Sequence, residues 1–73
     1  SKADKLLNKM RANPRDWTPN QLRTVAKQNG LTVRQNGTSH AVFVNPKGKH
    51  LSVPMHRPVK PYYIKQLIEL IEE

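Results

Sequence analysis

Apolar residues recur at helical spacing near both ends of the chain and at a spacing of two in its middle. Ala3, Leu6, Leu7 and Met10 predict a helix over residues 1–12, which Asn13-Pro14 ends because a residue before proline avoids the helical region. A second helix is announced by Thr18 as its cap, Pro19 in its first position and Gln21 completing a capping box. Trp17 and Leu22 stand where a hydrophobic staple would place them, and Gly30 is a natural stop with Leu31 folding back onto Ala26. Residues 31–34, 39–44 and 49–55 read as three strands, joined by turns at Asn36-Gly37-Thr38 and Asn45-Pro46-Lys47-Gly48. A last helix from about Pro61 should bury Ile64, Leu67, Ile68 and Ile71. No repeat, low-complexity segment or long linker divides the chain, so a single domain over residues 1–73 is expected, of α+β class and order α-α-β-β-β-α.

A one-residue slip in strand pairing turns every side chain over, so matching apolar positions constrains the register. A three-residue Pro46-Lys47-Gly48 loop, with Gly48 left-handed, sets Phe43 opposite Leu51 and Ala41 opposite Val53. For the first hairpin, a two-residue Asn36-Gly37 loop would set Val33 opposite His40, a poor match. A three-residue loop through Thr38 sets Leu31 opposite Phe43, Val33 opposite Ala41 and Arg34 opposite His40. Leu31, Val33, Ala41, Phe43, Leu51, Val53 and Met55 then face the helices. His40 lies on the other, open face with Arg34, Val42, Val44, His50, Ser52 and His56.

Charge sharpens this picture. The 73 residues carry a net charge of +8, and the five acidic residues are Asp4, Asp16, Glu69, Glu72 and Glu73. Between Trp17 and Ile68 there is no carboxylate side chain, only the cations Arg23, Lys27, Arg34, Lys47, Lys49, Arg57, Lys60 and Lys65. A field of one sign attracts polyanions, nucleic acid foremost. The chain has no cysteine, so it has neither a disulfide framework nor a thiolate zinc site. No apolar run approaches a membrane span or a signal peptide, and a reducing, cytoplasmic setting is the expectation.

On these residues alone, His40 is an imidazole beside a guanidinium on a cationic sheet face. Histidine moves a proton most readily near neutral pH, and arginine forks onto phosphate. The same features fit a plain surface histidine. His40, His50 and His56 lack ligand-like spacing and a nearby carboxylate, so no metal is expected, and the scarcity of acidic ligands argues against a two-metal nuclease. No P-loop, dinucleotide fingerprint or serine triad is present, and no cofactor is implied. Ser39 reads as a turn residue, because adjacent strand residues point to opposite faces. Tyr62 and Tyr63 could stack on a base, with one of them packing against the sheet. Open-face Val42 and Val44 suggest a surface that another protein covers.

Val33-Arg34-Gln35, then Gly37-Thr38-Ser39-His40, Phe43, and Val53-Pro54-Met55-His56 leading through Lys60-Pro61 into a helix, resemble the HicA toxins of bacterial HicA–HicB toxin–antitoxin pairs. The resemblance spans residues 18–71, leaves residues 1–13 as an extra N-terminal helix, and departs from the commoner motif in having Thr38 between Gly and Ser. It implies a double-stranded-RNA-binding-domain-like fold, with a three-stranded antiparallel sheet backed by helices on one face. It also implies a metal-independent endoribonuclease (an mRNA interferase) of the bacterial cytoplasm that cleaves mRNA and blocks translation. His40 becomes the catalytic acid or base. Arg34, Lys49, Arg57 and Lys60 are candidates for RNA phosphate, helped by backbone N–H groups at the start of the last helix. His56 and His50 are candidates for the second acid–base group. A HicB-type antitoxin would cover the active face through Val42 and Val44. The alternatives are a non-catalytic RNA-binding module of the double-stranded-RNA-binding type and a basic protein-interaction domain.

Overall fold

The computed structural model describes residues 2–35 and 39–73. The turn expected at Asn36-Gly37-Thr38 and the side chain of Ala3 lie outside the described residues. The elements are α1 (Lys2–Ala12), α2 (Pro19–Gln28), β1 (Thr32–Arg34), β2 (His40–Val44), β3 (His50–Pro54) and α3 (Pro61–Glu72). The strands form one antiparallel sheet in the order β1-β2-β3, with helices packed on one face. This is the α+β arrangement the sequence predicts.

Local chemistry sets the element ends. The Thr18 side chain accepts from the Gln21 amide while the Gln21 side chain accepts from the Thr18 amide, completing the capping box at the start of α2. At the other end, Gly30 adopts φ +80°. The Leu31 N–H reaches the Ala26 carbonyl (2.9 Å) and the Gly30 N–H reaches that of Lys27 (3.3 Å), the paired bonds of a Schellman stop. Gly48 is likewise left-handed at φ +84°, and β2 and β3 pair as expected, with Phe43 opposite Leu51 and Ala41 opposite Val53.

The first hairpin differs from expectation. Val33 pairs with Phe43 and Arg34 with Val42, two residues away from the predicted register. A slip of two leaves every side chain on its face, so apolar matching could not distinguish the registers. The Leu31 amide is committed to Ala26, so β1 begins only at Thr32 and Leu31 does not pair with Phe43.

The core joins Phe43, Ala41 and Val53 of the sheet to Leu22, Val25 and Ala26 of α2 and to Ile64, Leu67 and Leu70 of α3. Leu70 is fully committed to it, whereas Ile68 and Ile71, expected in the core, are only partly buried. α1 is part of the same core, with Met10 at 0% exposure and Leu7 at 4%. Burying such a side chain is worth roughly 1.5–3 kcal/mol. The exposed α1–α3 ion pair, Arg11 to Glu72 at 2.7 Å, is worth about 0–1. Apolar contact therefore holds α1 in place. Trp17 closes the helical layer against the segment before α3: its indole N–H donates to the Asn13 carbonyl (2.6 Å) and its own carbonyl accepts from Val59 N–H (2.9 Å).

Candidate active site

His40 opens the central strand. It pairs with Pro54 of β3, and one step beyond it the Met55 N–H donates to the Ser39 carbonyl (2.6 Å). The imidazole is exposed and lies on the face away from the helices, in alternation with buried Ala41 and Phe43. Arg34, opposite Val42, is its diagonal neighbour on the β1 side, and His56 follows two residues after Pro54, past the end of β3. Diagonal partners on a ladder are about 7–8 Å apart, within reach of long side chains meeting a shared ligand. Arg34 is thus beside His40 but not directly across from it, as the predicted register had it. Ser39 is a bend rather than a strand residue, so strand alternation does not apply to it. Its Oγ sits 3.4 Å from His40 Nδ1 instead of turning away.

Beyond His56 the chain carries Arg57 and Lys60, both exposed, from the end of β3 to the start of α3. Among the described residues, Arg34, His56, Arg57 and Lys60 have no carboxylate partner. The start of α3 is a weaker phosphate cradle than its position suggests. Pro61 has no N–H, Lys60 offers no side-chain cap, and the Tyr63 and Ile64 amides already turn to the Lys60 carbonyl. Tyr63 is half-buried against the core and holds Tyr62 edge-on, with ring centroids 5.2 Å apart at 81°. Tyr62 remains 64% exposed.

Two predicted site residues lie elsewhere. His50 pairs with Val44 at the opposite end of the sheet, about 13 Å along the strands from His40. Lys49 is one residue further, on the helix side, where its ammonium contacts Glu73 Oε1 at 2.9 Å. Val42, midway along β2, and Val44, opposite His50, are half-buried on the open face. Among the described residues, no three His, Asp or Glu side chains cluster as metal ligands.

Reading cations from the sequence alone missed Arg23 of α2. Its guanidinium donates to Asn20 Oδ1 (2.8 Å) and to Gln35 Oε1, which brings it to the His40 end of β1. The only sequence signal was that Arg23 is an arginine in a span without carboxylates.

No curated protein and no solved structure matches the chain. A family model described as the HicA toxin of bacterial toxin–antitoxin systems matches residues 19–72, which covers α2, the whole sheet and α3. The chain therefore belongs to the HicA toxin family, the toxin side of a toxin–antitoxin pair, and has an antitoxin as its partner.

Proposed function

We propose that this toxin is a metal-independent endoribonuclease that cuts mRNA with His40 as its acid–base group. The observation that carries the reading is the position of His40. Its exposed imidazole opens the central strand beside Arg34, and the chain that follows its partner Pro54 carries His56, Arg57 and Lys60, which like Arg34 have no carboxylate partner among the described residues.

As general base, His40 takes the proton of a ribose 2′-hydroxyl. The 2′-oxygen then attacks the adjacent phosphorus, and the 5′-oxygen leaves with a proton supplied by a second group. The products are a 2′,3′-cyclic phosphate and a 5′-hydroxyl. His56, two residues past the Pro54 that pairs with His40, is the candidate for that second group; in the reverse assignment, His56 is the base and His40 the acid. Arg34, Arg57 and Lys60 stabilise the negative charge that builds on the phosphate. Lys49, tied to Glu73 at the other end, is left out of this set. The half-buried Val42 and Val44 form an apolar strip beside the site, and an acidic antitoxin seated on it would occlude His40 while neutralising the surrounding charge.

The test incubates the purified protein and its His40→Ala variant with mRNA in the presence of a chelator. Cleavage by the parent alone, with RNA binding retained by the variant, is the expected result. Binding by both without cleavage by either would favour the non-catalytic RNA-binding module.

A further inference from the structure

Arg23 is a guanidinium held in place without being neutralised. Its Nη1 donates to Asn20 Oδ1 at 2.8 Å and its Nη2 donates to Gln35 Oε1. Both acceptors are uncharged amide oxygens, so the full positive charge remains. Arg11 contrasts with it, because the Arg11 charge is met by Glu72. A guanidinium has five N–H donors, and among the described residues Arg23 uses two of them. Fixing a free arginine costs rotamer entropy on binding, and a side chain already clamped has less to lose.

Location gives this clamp its use. Gln35 directly follows Arg34, so Arg23 and Arg34 flank the end of β1, one on the helix side and one on the open face beside His40. A nucleic-acid strand with its scissile phosphate at His40 reaches Arg23 by passing over the end of that edge strand. We propose that Arg23, oriented by Asn20 and Gln35, is a second phosphate-binding subsite, taking an RNA backbone phosphate on one side of the scissile one. This rests on the reading of the toxin as a ribonuclease. Because the subsite touches no reacting atom, it contributes uniform binding, which lowers KM and leaves kcat alone.

The experiment uses the full chain and a single-stranded RNA oligonucleotide, with binding measured in the His40→Ala background over a range of salt. Arg23→Gln should weaken binding roughly tenfold, the scale of one lost charge-assisted contact. It should also flatten the slope of log affinity against log salt by about 0.7, one single-strand phosphate. In the active background KM should rise by the same factor with kcat unchanged, and the melting temperature should match the parent. Gln35→Ala, which keeps the charge and loses the clamp, should weaken binding less and leave the slope unaltered. Affinity and slope untouched by Arg23→Gln in a protein that does cleave RNA would overturn the subsite alone. So would a loss confined to kcat or to antitoxin binding. A parent that neither binds nor cleaves RNA would overturn the ribonuclease reading and the subsite with it.

Discussion

The two ends of the sheet are held by different chemistry. At the β2–β3 turn, buried Asn45 ties the turn to α3. Its Oδ1 accepts from the amides of Lys47 (3.0 Å) and Lys49 (2.9 Å), and its Nδ2 donates to the Leu70 carbonyl of α3 (3.2 Å). Two charges near this end are matched, Lys49 by Glu73 and, on α3, Arg11 by Glu72, while Lys47 in the turn has no ion-pair partner among the described residues. At the His40 end, Arg34, Arg57 and Lys60 have no such partners among the described residues, and the described partners of Arg23 are neutral amides. Unmatched cations repel one another and cost stability, so their concentration beside one histidine is expected of a surface that receives a polyanion. One end maintains the fold, and the other is the end that the proposed ribonuclease reading assigns to RNA.

Substitutions at matched positions sharpen this contrast. The largest effect should separate the two candidate partners of His40. His56→Ala should lower kcat by about 10²-fold or more, the scale of a lost acid–base group. His50→Ala, on the same face but at the other end, should leave the rate within about twofold. Single-turnover cleavage assays of the pair give the answer, and equal losses would erase the distinction. Next in size, Asn45→Ala strands three hydrogen-bonding groups and should cost about 1–3 kcal/mol in denaturant unfolding. The rate per folded molecule should be unchanged. The smallest effect belongs to Lys49→Gln. Its exposed ion pair is worth about 0–1 kcal/mol, and RNA affinity should fall far less than for Arg34→Gln, as read by titration at fixed salt.

Much of the fold was legible because its signals are local. The Thr18–Gln21 box, the Gly30 stop and the Gly48 hairpin each depend on residue types at fixed short spacing. The face that presents His40 was legible too, since alternation along a strand survives a slip of two. The register of β1 was not. Registers two residues apart put the same side chains on the same face, so hydrophobic matching does not separate them. Similarly, a cation's type and number reveal nothing of its partner. Lys49 reads as a candidate for phosphate until Glu73 is found beside it, and Arg23 reads as an ordinary helix residue until Gln35 is brought across from β1. Asn45 looks like a turn former, and its bond to the Leu70 carbonyl spans 25 positions.

The central claim is that His40 moves a proton during attack by the neighbouring ribose. It is tested most directly by the ends of the cleaved strand, with an otherwise identical oligonucleotide carrying a 2′-deoxy sugar at the cut position as control. The account predicts 2′,3′-cyclic phosphate and 5′-hydroxyl ends from the parent, none from His40→Ala, and an intact deoxy-substituted strand. Scission of that strand, or undiminished cutting by His40→Ala, would contradict it.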